Sequence, residues 1–234
     1  MKRLPHRAKR FSGLGTGLAL AVLVANLLSA WTPGPHAYQA VNRAALAKPF
    51  SHALWDRVLA THVSARGLVD FGAVKAQPRS LNRYLAQLAD MSPQSHPDWF
   101  PTWRHRLAYW LNAHNALLLR AVLDAYPVES LAPLRRSGAL LRPAYPLGGA
   151  YHSVAQVAEH VQRDFSFRPD APLGLSGLTL GSPTLPQAAY TADNLDALLG
   201  RQADRLPPSG APGGDRLADA FPIAPAATPN GSSP

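Results

Sequence analysis

WRHRLAYWLNAHNALLLRAVLDAY, residues 103–126, is the longest uninterrupted helical pattern in the chain and decides how the rest is read. Leu107, Trp110, Leu111, Leu118, Ala121 and Val122 recur at three- and four-residue intervals, which puts them on one helix face. Neither proline nor glycine breaks the run until Pro127 stops it. The stretch therefore predicts a central core helix with shorter elements packed around it.

On its N-terminal side, Ser51 reads as the cap of a first helix carrying Leu54, Trp55, Val58, Leu59 and His62 on one stripe. Gly67 ends the turn after it, and GLVDF at 67–71 reads as a short strand. A second helix holds Leu81, Tyr84, Leu85 and Leu88 and stops in the polar loop 92–98. On the C-terminal side, prolines and paired glycines up to Gly149 predict loops, with one extended run at 139–141. Ser153 and Gln156 form a capping-box pair opening a helix that buries Val154, Val157, Val161 and Phe165. Residues 173–180 read as extended, and 191–205 as a last helix with Leu195, Leu198 and Leu199. No period of 20–50 residues recurs, which excludes solenoids and propellers. The expected fold is α+β, a mostly helical single domain around a long central helix with a few short strands, spanning 49–206.

The ends read differently. Lys2, Arg3, Arg7, Lys9 and Arg10 precede an uncharged apolar stretch at 11–30, and small residues follow, which is the order of a secretory signal. Residues 1–37 are thus expected to be a signal peptide or, if uncleaved, an N-terminal membrane anchor, since a run of that length can also span a bilayer. Residues 38–48 read as a linker, and the Pro-, Gly- and Ala-rich stretch 207–234 as a disordered tail. The expected location is periplasmic or secreted, the alternative being an inner membrane anchored through 11–30.

The formal charge of +9 overstates the basicity of the chain beyond the leader, because five of the 23 Lys and Arg lie in the leader and all 14 acids lie beyond it. That leaves 18 basic against 14 acidic side chains, or +4, spread thinly, which gives no nucleic-acid footprint. The absence of cysteine excludes disulfides, thiol nucleophiles, iron-sulfur clusters and cysteine zinc sites. Nine histidines form no His-Glu-x-x-His and no pair at helical spacing, so no metal or other cofactor is implied.

LAYWLNAHNALLLR at 107–120, followed by Asp124, Tyr126 and Pro127, resembles the hallmark helix of the family called domain of unknown function 547 (DUF547). SHALWD at 51–56, GLVDF at 67–71, VAEH at 157–160 with Arg163, Gly181-Ser182-Pro183 with Leu185, and Ala189-Tyr190-Thr191 resemble its further motifs in the same order. The resemblance covers about 50–205. It implies the fold and a candidate surface, and the family has no settled reaction. Where its pattern has a cysteine before the proline this chain has Ser182, where a second cysteine often lies it has Gly177, where a strand histidine is expected it has Pro172, and where a tyrosine follows Asn-Ala it has His114. The chain thus resembles a divergent member lacking the family cysteines.

These motifs nominate Ser182, His160 and Glu159 as candidate catalytic residues and Asn112, His114, Asn115 and Tyr190 as candidate substrate-binding residues. Each has a plainer reading beside it. Asn112 and Asn115, three apart, read better as buried amides fixing the backbone of the glycine-rich stretch than as substrate contacts. His114, amid the apolar stripe, reads as a core histidine. Glu159 pairs more naturally with Arg163 at i+4 than with His160, which points about 100° away on the helix. His160 lies off the buried stripe and is placed to face a cleft. Ser182 lacks the second glycine of a nucleophile elbow, and Pro183 removes the amide that would serve an oxyanion hole. The expectation is an exported cell-envelope protein acting as a non-catalytic binding or structural module, its partner an envelope component or small molecule. The alternative is a serine-dependent hydrolase or acyl-transfer enzyme using Ser182 and His160.

Overall fold

The computed structural model describes residues 50–128, 130–178 and 183–205. In chain order they form α1 (Ala53–His62), α2 (Phe71–Ala76), α3 (Arg79–Asp90), α4 (Trp103–Ala125), α5 (Ala132–Ser137), β1 (Ala144–Leu147), β2 (Ala150–Ser153), α6 (Val154–Asp164) and α7 (Leu195–Arg205). Two single 3-10 turns, Pro97–Trp99 and Ala171–Gly174, complete the set. The fold is α+β, mostly helical, with one two-stranded antiparallel sheet among the described residues.

Helix α4 is the centre, as its sequence requires. Thr102 caps it by accepting the His105 amide. From Leu107 to Leu119 every residue is buried, so the single apolar stripe expected from the spacing is too narrow a description. Helices α3 and α6 pack against it, and the main chain of Gly174, Ser176 and Tyr190 bonds to Asn115 and Asn112. A helix enclosed on all sides has to be apolar nearly all round, and the alanines and leucines between the stripe positions supply this. Its Tyr109 and Trp110 join an aromatic cluster with Phe50, Phe100, Tyr84 and Trp55.

Three strand expectations are corrected. Residues 67–71 contribute one β-bridge, Val63 to Val69, and Phe71 already opens α2. The cause is Asp70, whose Oδ1 accepts the Ala73 amide at 2.8 Å and turns the chain into a helix. The run 139–141 is a turn, because Gly138 ends α5 in the left-handed conformation and the first strand starts only at Ala144. Residues 171–174 wind into a 3-10 turn with Pro172 in it, where an extended segment is expected from 173 onward. The first helix also starts differently: its N-cap is His52, and Ser51 Oγ accepts the Ala53 amide one residue earlier, at 3.2 Å.

The hairpin hinges on Gly148 and Gly149, the two residues between β1 and β2, at φ 57° and 88°. Both angles are left-handed, as the tight turn that suits two-residue hairpins demands. Their amides donate to the carbonyls of Leu88 and Ala89, at 2.8 and 2.9 Å, and so cover carbonyls that the last turn of α3 leaves open. The capping box of α6 forms as its sequence predicts: Ser153 Oγ accepts the Gln156 amide, and Gln156 Oε1 accepts the Ser153 amide. The last helix is shorter than 191–205, beginning at Leu195.

Among the described residues no helix is long and apolar enough to cross a membrane. The leader 1–37 with its apolar run 11–30, the linker 38–48 and the tail 207–234 lie outside the described residues.

Candidate functional site

The described residues between Gly174 and Asn194 form no regular secondary structure beyond the end of a 3-10 turn, so their amides and carbonyls need partners from elsewhere. Side chains provide them. Asn112 Nδ2 donates to the Tyr190 carbonyl at 2.7 Å while Asn112 Oδ1 accepts the Tyr190 amide at 3.0 Å. One turn on, Asn115 Nδ2 donates to the Gly174 carbonyl at 3.0 Å and Oδ1 accepts the Ser176 amide at 2.9 Å. Gln202 on α7 does the same for Thr184, accepting its amide at 3.3 Å and donating to its carbonyl at 2.8 Å. A carboxamide offers one donor face and one acceptor face, as a peptide group does, so each of these side chains replaces a missing strand neighbour. Asp56 Oδ1 accepts the Ala189 amide, and Gln187 Nε2 donates to the Val63 carbonyl, both at 2.9 Å. Gly174 lies so near α4 that a Cβ there would come 2.6 Å from Leu111 Cδ1, so only glycine permits the approach that Asn115 needs.

The candidate binding residues are therefore structural in their first duty. Asn112 and Asn115 are nearly inaccessible, and both faces of each carboxamide are engaged by main chain. His114 is also buried, with Nδ1 3.1 Å from Asn115 Oδ1. Burial lowers its pKa to about 4, against a smaller opposing effect of the Asn115 hydrogen bond, so the ring is neutral at pH 7. Tyr190 is enclosed, and burial raises its phenol pKa. Sequence reasoning missed Gln202, although a signal existed: it stands seven residues after Leu195 and three after Leu199, a polar side chain on the apolar face of α7.

The clasps on Ser176 and Thr184 stand on either side of the candidate Ser182 in the sequence. Gly177 donates its amide to the Pro183 carbonyl at 3.1 Å, and Leu178, buried, holds φ 50°, a left-handed angle that costs a residue with a Cβ about 1–2 kcal/mol. Ser182 itself lies outside the described residues.

On α6, Glu159 does not take the expected role. Arg163 Nε bonds Asp164 Oδ1 at 2.7 Å, and no ion pair with Glu159 forms among the described residues. The adjacent Asp164 carboxylate also reaches His160, with Oδ2 3.0 Å from Nδ1, and so joins both side chains at the helix end. The carboxylate accepts a hydrogen bond from Nδ1–H and leaves Nε2 as the basic nitrogen of His160. The ring sits half-buried against Trp110, with centroids 4.2 Å apart, and near Phe165. Burial lowers the His160 pKa; Asp164 opposes this, while Arg163 and His152 reinforce it. An oriented imidazole able to accept a proton at neutral pH is thus present, with Asp164 rather than Glu159 as its carboxylate. Among the described residues no three His, Asp or Glu side chains gather as a metal site.

Comparison with known proteins gives no match, whether to family models, curated proteins or solved structures.

Proposed function

We propose that this chain is an exported cell-envelope protein, a divergent relative of the DUF547 family, whose domain works as a non-catalytic binding or structural module. The observation that supports this reading is the commitment of Asn112 and Asn115. Both carboxamides are buried and bonded on their donor and acceptor sides by the backbone of Gly174, Ser176 and Tyr190, which favours a structural role over orienting a substrate carbonyl. Export rests on the leader, the absence of cysteine supports the non-catalytic reading, and an envelope component or small molecule is the expected partner.

A serine-dependent hydrolase or acyl-transfer enzyme is the second reading, favoured by the Asp164–His160 couple with its free Nε2. In it, Nε2 takes the Ser182 proton as Oγ attacks an ester or amide carbonyl, then returns it to the leaving group. One experiment separates the two. The full chain is treated with a fluorophosphonate, which modifies only activated serines, and the peptides are examined by mass spectrometry. The module reading expects Ser182 unmodified. Modification of Ser182 that is lost in His160→Ala overturns it in favour of the hydrolase.

A further inference from the structure

A cleft of about 400 Å³ opens where the end of α1, the Val63–Val69 bridge and the start of α2 face Tyr126. That volume lies in the range of small-molecule sites, about 300–1,000 Å³. None of the candidate residues on α4 and α6 lines it, so what it does is independent of whether Ser182 reacts.

Its chemistry is uneven in a useful way. Val63, Val69 and Phe71 are buried and give the cleft an apolar wall. The Phe71 and Tyr126 rings lie nearly parallel, at 28° and 6.5 Å between centroids. Asp70 is the only acidic side chain in the lining, and no lysine or arginine lines it. Its Oδ1 caps α2, and the second carboxylate oxygen remains for a further donor. The Asp70 carboxylate and the Tyr126 hydroxyl converge over Gly72: a methyl group placed on its Cα would lie 3.3 Å from Tyr126 Oη and 3.5 Å from Asp70 Oδ1. A lining glycine therefore keeps open a small space flanked by two oxygens. Tyr126 already serves as a cation acceptor, since Lys75 Nζ donates to its carbonyl and stands 5.4 Å from its ring centroid.

We infer that this cleft binds a small organic ammonium ion. The charged head sits above Gly72 between the Asp70 carboxylate and the Tyr126 hydroxyl, and the apolar body lies against Val63, Val69 and Phe71. A carboxylate at the rim with no lysine or arginine in the lining, where His62 is the one nitrogen base, disfavours anions, phosphates included.

The test is titration of the full chain, at pH 7 and followed by NMR, with three probes of one shape: phenethylammonium, phenethyl alcohol and phenylacetate. The ammonium should bind about fivefold more tightly than the alcohol, the size of an exposed ion pair plus a cation–π contact, and phenylacetate most weakly. Asp70→Asn should remove the preference for ammonium over alcohol, while the asparagine still caps α2 and the fold is kept. Gly72→Ala should weaken both probes together by filling the space between the two oxygens. Equal binding of ammonium and alcohol, a preference that survives Asp70→Asn, or no binding of either probe would overturn the assignment.

Discussion

Helices α4 and α6 both carry polar motif residues, and they use them in opposite ways. On α4, Asn112 and Asn115 point into the protein and bond main chain 59 to 78 residues away. On α6, Asp164 bonds both Arg163 and His160 at the surface, within a single turn. The contrast teaches where each set acts. Removing an α4 amide strands buried peptide groups with no water to replace it, whereas the α6 groups lose a partner that water can stand in for.

The sharpest way to break this comparison is Asn112→Ala. It leaves the Tyr190 amide and carbonyl buried and unpaired, and stability should fall by about 2–5 kcal/mol, read from urea unfolding. A loss below about 1 kcal/mol would place water in the gap and dissolve the distinction between the helices.

Next in size is acid. The His114 pKa falls from its ordinary 6.5 to about 4 in the folded state, so the folded protein binds its proton less well than the unfolded chain does. The stability this gives is complete above pH 6.5 and is lost as pH drops from 6.5 to about 4, on the order of 3 kcal/mol. His52, lowered to about 3 by burial and by His105, adds to the same loss. Unfolding midpoints measured from pH 7 to 4 should fall steadily, and less steeply in His114→Gln.

A smaller effect is expected on α6. Asp164→Asn should lower the His160 pKa further by removing the one group that raises it, as NMR titration of the ring would show. Stability should change by less than about 1 kcal/mol, the usual worth of exposed pairs. Glu159→Ala should move neither quantity, and a shifted His160 pKa there would restore Glu159 as its partner.

The sequence was informative where one residue type has one physical use. Periodicity placed α3, α4 and α6, and the Ser153–Gln156 capping box marked the start of α6 to the residue. It misled where a turn depends on what a side chain bonds. GLVDF has the composition of a strand, but Asp70 captures the Ala73 amide and the helix starts inside the motif. Glu159 and Asp164 are both within reach of Arg163 by spacing, and the choice falls to the carboxylate that also meets His160. The reading of Asn112 and Asn115 as amides that fix backbone is correct, and their partners, Tyr190, Gly174 and Ser176, emerge only from the folded chain. The cleft beside Tyr126 had no sequence signal, since its walls come from residues 61–72 and 126 and meet only through packing.

The three carboxamide clasps carry one more consequence. A side chain that grips an amide and a carbonyl is blind to what projects from the residue it holds. At Tyr190 the grip is indifferent to spelling, at Thr184 the hydroxyl adds one long bond to Gln202 Oε1, and at Gly174 the grip requires only that no Cβ intrude on Leu111. The path of the segment is thereby written into α4 and α7, while its own letters are left open to revision. A stretch anchored in this manner can exchange a reactive side chain for an inert one, or the reverse, with the frame around it unaltered.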